Sequence, residues 1–140
     1  MIPVVIVDDG EADRYLVKRR LSRSGDFQDL IEMPSGDCFL EEFFAQSSTR
    51  VVQEAPLLVL MDINMPGRDG FQTVNEAARR IADGQGPTSM VFLMYTSSLN
   101  AHDQERAKEI ALVKGYLAKS MRKEGVDYIR EIYRAHCAAS

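Results

Sequence analysis

Cysteine is scarce in this sequence, and long apolar runs are missing from it. Cys38 and Cys137 belong to no CxxC or Cys/His metal spacing, so we expect reduced thiols without a metal or redox role. No apolar run approaches the length that crosses a bilayer, which excludes a membrane-spanning helix. The opening residues, MIPVVIVDDG, lack the basic leader and cleavage site of a secretory signal. These absences favour a cytoplasmic protein with no membrane association.

An excess of positive charge is also missing. The formal net charge is −4 and the pI is near 5.2, which argues against direct nucleic-acid binding, because such binding depends on neutralising phosphates. A chain of 140 residues is long enough for one hydrophobic core and too short for two. We therefore expect a single domain over residues 1–140, with no output domain, that acts through a protein partner.

Short apolar runs predict the strands of a parallel sheet. They are continuous, as expected for strands that are covered on both faces, and do not alternate with polar residues. The four clear runs are 4–7, 57–61, 90–95 and the brief 116–117, and a weaker fifth candidate, 30–33, ends at Pro34.

Helical spacing and capping residues predict a helix after each strand. We expect the first helix after Asp9, the second from Ser35 and the third over 69–81. The fourth should start at Asn100, with Asp103 three residues later, and the fifth should run from a Ser120 cap to about residue 136. A polar loop covers 46–55. Strict alternation of strand and helix predicts an α/β fold with a parallel sheet between two helix layers.

Polar residues follow most of the predicted strands. In an open parallel sheet, ligands bind beyond the carboxyl ends of the strands, so these residues should meet at one edge. They are Asp8 and Asp9 after the first strand, Asp62 and Asn64 after the third, Thr96, Ser97 and Ser98 after the fourth, and Lys119 after the fifth.

Three carboxylates at one edge repel one another unless one is protonated or a cation binds among them. Oxygen ligands favour a hard cation, and Mg²⁺ held by one or two carboxylates is completed by phosphate oxygens. A carboxylate such as Asp62 can then act as a nucleophile towards phosphorus. Taken singly, each of these residues has an ordinary structural interpretation as a cap, turn or solvated charge. Their combination at separate strand ends favours a phosphoryl-transfer site.

These residues, in this order, resemble the receiver domain of two-component response regulators, and in particular its stand-alone, CheY-like form. The segment 60–70, LMDINMPGRDG, is similar to the phosphoacceptor region of that family. The resemblance covers nearly the whole chain and implies a doubly wound, flavodoxin-like three-layer fold with five helices and a sheet of order 2-1-3-4-5. The other matching positions are Asp8, Asp9, Thr96, Tyr116 and Lys119.

The resemblance also implies a role for each matching residue. Asp62 would be the phosphoacceptor, and Lys119 and Thr96 would contact the phosphoryl group. Asp9, Asp62 and the main-chain carbonyl of Asn64 would bind Mg²⁺, with Asp8 assisting. Thr96 and Tyr116 would relay phosphorylation to a surface formed by the fourth helix, fifth strand and fifth helix. Ser120 departs from the family, which usually has proline there after a cis peptide bond, so we expect a trans bond or a strained loop.

The implied partners are a sensor histidine kinase or histidine phosphotransfer protein as donor, and an unidentified protein target. Catalysis would be limited to the chain's own phosphorylation and slow dephosphorylation. Three alternatives stay open: a phosphorylation-independent interaction module, a relay or phosphate-sink intermediate, and an aspartate-nucleophile phosphatase. The phosphatase is disfavoured because Asn64 replaces the acid that would protonate the leaving group. The basic residues at 14, 18–20 and 23 form either a solvated helix face or a docking face for the donor.

Overall fold

The computed structural model describes residues 1–44, 55–86, 89–97, 99–120 and 122–139. Within these ranges, five strands alternate with five helices. In chain order they are β1 (Ile2–Val7), α1 (Glu11–Ser24), β2 (Phe27–Met33), α2 (Gly36–Phe44), β3 (Leu57–Asp62), α3 (Gly70–Ala82), β4 (Met90–Thr96), α4 (Ala101–Glu109), β5 (Val113–Ala118) and α5 (Lys123–Ala139). None of the described helices is long and apolar enough to cross a membrane.

The five strands form one parallel sheet in the order β2-β1-β3-β4-β5, which confirms the predicted fold. The three inner strands match the apolar runs closely because both of their faces are covered. The two edge strands extend beyond the predicted runs. β2 already begins at Phe27, and β5 begins at Val113 although Lys114 and Gly115 interrupt its apolar pattern.

The core is divided between the two faces of the sheet. Successive strand residues point to opposite faces, so Val5 and Val7 pack with α2, α3 and α4, while Val4 and Ile6 pack with α1 and α5. The same alternation separates Met94 from Tyr95 in β4. The predicted three-layer arrangement is therefore present, and each strand end directs neighbouring side chains to different layers.

Local capping chemistry fixes several helix starts. Ser35 Oγ accepts the Cys38 N–H at 3.0 Å, and Asn100 Oδ1 accepts the Asp103 N–H at 2.8 Å. Asp69 forms a capping box with Gln72 at the start of α3. The predicted Ser120 cap is wrong, because α5 begins only at Lys123, after a turn that contains Ser120. Except for residue 55, the predicted 46–55 loop lies outside the described residues, as does Ser98.

Candidate functional site

Asp62 is the last residue of β3 and is almost fully buried. Its Oδ2 atom has no hydrogen-bond partner among the described residues, although Lys119 Nζ lies 3.3 Å away as an ion-pair partner. Burial, followed by the negative charge of Asp8, raises the pKa of Asp62 to about 7 despite the nearby lysine. A buried carboxylate oxygen without a donor is therefore available to a cation or to a reacting group.

Two further acids lie beside Asp62, as the sequence predicts. Asp8 and Asp9 follow β1, the strand that pairs with β3 and ends one residue earlier in register. Asp8, Asp9 and Asp62 each offer an oxygen within 4.8 Å of the others. Asp8 is fully buried, whereas Asp9 is exposed, so the cluster opens to solvent on the Asp9 side. The donor set consists only of oxygen atoms and suits a hard divalent cation.

Lys119 joins this cluster from the end of β5. Its ammonium lies 2.9 Å from Asp8 Oδ2 and 3.0 Å from Asp13 Oδ2, in addition to its contact with Asp62. Burial alone would lower the pKa of Lys119, but its hydrogen bonds to Asp8 and Asp13 and the charge of Asp62 raise it above the ordinary value. The lysine is therefore a permanent cation held against three carboxylates.

Asp8 is the most constrained of the acids. Its Oδ1 accepts the Gly10 N–H at 2.8 Å, and its Oδ2 accepts the Tyr95 hydroxyl at 2.6 Å as well as the Lys119 ammonium. Burial would raise the pKa of Asp8, but the hydrogen bonds from Tyr95, Gly10 and Lys119, together with the lysine charge, hold it below the usual value. The pKa values of the neighbouring Asp8 and Asp62 are thus shifted in opposite directions.

Thr96 and Asn64 lie at the same edge of the sheet. Thr96 is the buried last residue of β4, and its main-chain carbonyl accepts the Lys119 N–H at 2.7 Å. This bond ties the lysine to the end of β4. Asn64 is exposed, two residues beyond Asp62, in the connection between β3 and α3. Both residues are therefore near the acidic cluster in the fold, as the strand order predicts.

Tyr116 lies away from the carboxylates, on the side of the sheet that faces α4. Its ring is half-buried, and its hydroxyl accepts the Asn100 N–H at 3.0 Å while lying 3.3 Å from the Asn100 carbonyl, to which it donates. Asn100 is the N-cap of α4. Tyr116 therefore connects the middle of β5 to the start of α4.

Sequence reasoning missed two side chains of this site, Asp13 and Tyr95. Asp13 lies in the first turn of α1, and its contact with Lys119 joins residues 106 positions apart, so no local pattern indicates it. Tyr95 falls within an apolar run, which predicts a core residue, yet a buried tyrosine usually needs a hydrogen-bond partner. Its place next to Thr96, at the end of a strand, was the available signal.

The departure at Ser120 leaves Lys119 in place. The Lys119–Ser120 peptide bond is trans, as are all the described peptide bonds, and neither residue has a positive φ. The first of the two outcomes expected for this position, a trans bond, is the one found.

Comparison with known proteins agrees with this geometry. A family model described as the response regulator receiver domain matches residues 4–130. No curated protein sequence matches the chain significantly.

Several solved structures share the fold. A two-component response regulator from Cytophaga hutchinsonii superposes with a TM-score of 0.76 at 18% identity, covering 96% of this chain and 98% of that one. The chemotaxis protein CheY4 from Vibrio cholerae gives 0.67 at 22% identity, with 95% and 98% covered. A CheY-like receiver domain protein from Methanospirillum hungatei gives 0.72 at 18% identity, with 100% and 99% covered. At these identities the likeness shows the fold alone.

Proposed function

Because the chain belongs to the response regulator receiver domain family, we propose that it is a Mg²⁺-dependent phosphorylation switch in which Asp62 accepts the phosphoryl group. The observation that supports Asp62 as the phosphoacceptor is its buried Oδ2 atom, which accepts no hydrogen bond from the described residues. Asp8, Asp9 and Lys119 lie beside it. Membership of the family implies phosphorylation-based signalling.

The acidic cluster fits Mg²⁺ by its chemistry. Asp9 and Asp62 would hold the ion together with the main-chain carbonyl of Asn64, and Asp8 would assist. The exposed side of the cluster leaves room for the waters and phosphate oxygens that Mg²⁺ retains. When bound, the ion would neutralise carboxylate charge and polarise the phosphoryl oxygens.

The chain's own residues divide the remaining work. An Asp62 carboxylate oxygen attacks phosphorus, forming a P–O bond as the P–N bond of a phosphohistidine donor breaks. The leaving imidazole keeps the electron pair of that bond and takes up a proton from solvent. The Lys119 ammonium, already 3.3 Å from Asp62, pairs with the added oxygens. The Thr96 hydroxyl donates a hydrogen bond to one of them. The reaction is limited to the chain's own phosphorylation and slow hydrolysis of the product.

Output would follow from a small population shift. Engagement of Thr96 by the phosphoryl group and reorientation of Tyr116 would favour a second arrangement of the surface formed by α4, β5 and α5. Such a shift is limited to the free energy of the new contacts, so the two arrangements must lie within a few kcal/mol of each other. The donor would be a sensor histidine kinase or histidine phosphotransfer protein, the output partner a protein, and the compartment the cytoplasm.

Incubation with phosphoramidate, which carries a P–N bond as phosphohistidine does, tests this proposal by intact mass. We expect one added phosphoryl group with Mg²⁺, and none with EDTA or in Asp62→Asn. Asp37→Asn, which removes an exposed acid on α2, is the matched control and should be phosphorylated normally.

The contrary outcome of the phosphoramidate experiment is a wild type that stays unmodified and releases no phosphate from the donor. It would contradict the switch and favour the phosphorylation-independent module.

A further inference from the structure

Tyr95 is a fully buried tyrosine whose hydroxyl is committed to the acidic cluster. It is the second-last residue of β4 and pairs in register with Asp62 of β3. Paired residues of neighbouring parallel strands point to the same side, so Tyr95 and Asp62 share the face covered by α1 and α5. The Tyr95 hydroxyl then reaches Asp8 Oδ2 at 2.6 Å.

Packing accounts for the ring of Tyr95 and leaves the hydroxyl unexplained. The ring belongs to an otherwise mainly aliphatic cluster that includes Leu60 and Leu93, where phenylalanine would fill the same space. Burial and the charges of the neighbouring acids raise the pKa of Tyr95, so the hydroxyl stays protonated and acts as a donor. A buried hydroxyl directed at a carboxylate forms a charge-assisted hydrogen bond, which is stronger than a neutral one.

The hydrogen bond restricts how Asp8 can turn. One carboxylate oxygen is held by the Gly10 N–H, and the other by Tyr95 and Lys119. Lys119 is shared with Asp13 and Asp62, and in the proposed function it moves to the phosphoryl group. Tyr95 is then the side-chain donor that remains on Asp8 Oδ2 among the described residues.

Tyr95 also contacts the lysine directly. The Lys119 ammonium lies 5.3 Å from the centroid of the Tyr95 ring, within cation–π range. One side chain thus touches an acid of the proposed metal site through its hydroxyl and the cation of the site through its ring. Replacing tyrosine by phenylalanine separates these contacts, because the ring is kept and the hydroxyl is lost.

We propose that Tyr95 is a positioning residue for the metal site: its hydroxyl holds the buried Asp8 carboxylate in the orientation that assists a divalent cation at Asp9 and Asp62. This inference rests on the proposed function. Mutation of a residue that hydrogen-bonds a metal-site group typically lowers metal affinity or activity about 10- to 100-fold. Loss of the Tyr95 hydroxyl should therefore lower Mg²⁺ affinity about tenfold.

The test is calorimetric titration of Mg²⁺ into the wild type, Tyr95→Phe and Tyr133→Phe at one pH. Tyr133 is a matched control because it is a buried tyrosine of the same cluster, and its hydroxyl donates to the Pro56 carbonyl at 2.7 Å, away from the acids. We expect Tyr95→Phe to weaken Mg²⁺ binding about tenfold, and Tyr133→Phe to bind like the wild type. The Mg²⁺ concentration for half-maximal phosphorylation should rise in parallel.

A double-mutant cycle separates positioning from general damage. If Tyr95 acts through Asp8, the Tyr95→Phe effect on Mg²⁺ affinity should disappear in an Asp8→Asn background. Equal effects in both backgrounds, or unchanged affinity in Tyr95→Phe, would overturn the inference while leaving the switch intact. Absence of Mg²⁺ binding by the wild type would instead contradict the proposed function itself. Stability of the variants in EDTA checks that each is folded.

Discussion

At the scale of single residues, the site is a balance between buried negative charge and one buried cation. Asp8, Asp13 and Asp62 all lie within ion-pair distance of Lys119, so the lysine is shared. Asp8 also receives two other hydrogen bonds, whereas Asp62 Oδ2 receives none from the described residues. Asp62 is therefore the acid whose carboxylate most needs an additional cation or hydrogen-bond donor.

Removing the charge of Asp62 should stabilise the metal-free protein at neutral and alkaline pH. The folded pKa of about 7 exceeds the ordinary 3.8, so the folded state binds more protons than the unfolded state between about pH 4 and 7. Wild-type stability therefore falls as the pH rises through this window. The difference in pKa corresponds to a loss of roughly 4 kcal/mol in the free energy of unfolding once Asp62 is charged. Asp62→Asn should recover only part of this, because the variant buries an amide near Lys119.

Denaturant unfolding in EDTA at pH 4.5 and pH 8 measures this effect. Asp62→Asn should exceed the wild type by about 2 kcal/mol at pH 8. At pH 4.5, where folded Asp62 is already neutral, most of the charge penalty is gone, and the cost of the buried amide should leave the variant about 1 kcal/mol less stable than the wild type. A difference that is the same at both pH values would show that the carboxylate charge is not its cause.

Asp13 should compete with the phosphoryl group for Lys119. Its carboxylate contacts the ammonium at 3.0 Å and adds negative charge where a dianionic group would arrive. Asp13→Asn removes both effects and should raise the rate of phosphorylation by acetyl phosphate about two- to threefold, as expected for a partly exposed ion pair. Glu11→Gln, at the exposed start of α1, is the control. A slower rate in Asp13→Asn would indicate that Asp13 positions the lysine instead.

The sequence predicted the acids and the lysine of the site because their chemistry is visible at strand ends. It did not predict which side chains would complete them. Tyr95 satisfies both an apolar pattern and a polar contact, and the pattern alone reports only the first. Asp13 depends on how α1 packs against the end of β5, a contact between residues that are 106 positions apart.

At the scale of secondary structure, predictions succeeded where a local interaction sets the boundary. Ser35, Asp69 and Asn100 each cap a helix through a hydrogen bond to a residue three positions later. The Ser120 prediction was wrong because a capping residue type by itself does not set a helix start, and the chain turns first. The edge strands were underestimated since one-sided exposure allows polar residues such as Lys114.

The first residue of α3, Gly70, should tolerate no side chain. A Cβ atom there would overlap the Asp62 carbonyl oxygen and lie 2.9 Å from Ile63 Cα. Gly70→Ala should therefore displace Asp62, abolish phosphorylation and cost about 2 kcal/mol of stability. Gly84→Ala is the control, because its neighbourhood is open and only its positive φ is penalised, by about 1 kcal/mol.

Intact mass after acetyl phosphate treatment and urea unfolding report the two effects. If Gly70→Ala is phosphorylated as readily as Gly84→Ala, the close approach of α3 to Asp62 does not constrain the site.

The Tyr116 hydroxyl should hold the start of α4 in the unphosphorylated protein. Tyr116→Phe removes both contacts with the Asn100 backbone, each worth about 0.5 kcal/mol because they are exposed to solvent. Amide hydrogen exchange over residues 99–103 should become about fivefold faster. Tyr15→Phe, an exposed tyrosine on α1, should leave it unchanged. Unaltered exchange in Tyr116→Phe would mean that the N-cap alone fixes this helix end.

At the scale of the whole molecule, the fold follows from repetition of one unit. Continuous apolar strands separated by helices admit a parallel sheet between two helix layers, and parallel strands bring their carboxyl ends to one edge. The strand order β2-β1-β3-β4-β5 agrees with the family resemblance, and no single element specifies it. It places the Asp8 and Asp62 ends next to each other, with the Thr96 and Lys119 ends following on one side.

Asp62, among three neighbouring acids, is the residue proposed to carry the phosphoryl group, and its modification can be read directly. Borohydride reduces an acyl phosphate to an alcohol, so treatment after acetyl phosphate and Mg²⁺ should convert the phosphorylated aspartate to homoserine, which peptide mass spectrometry locates. We expect homoserine at position 62, dependent on Mg²⁺. Homoserine at position 8, 9 or 13, or no conversion in a protein shown to be folded, would contradict it.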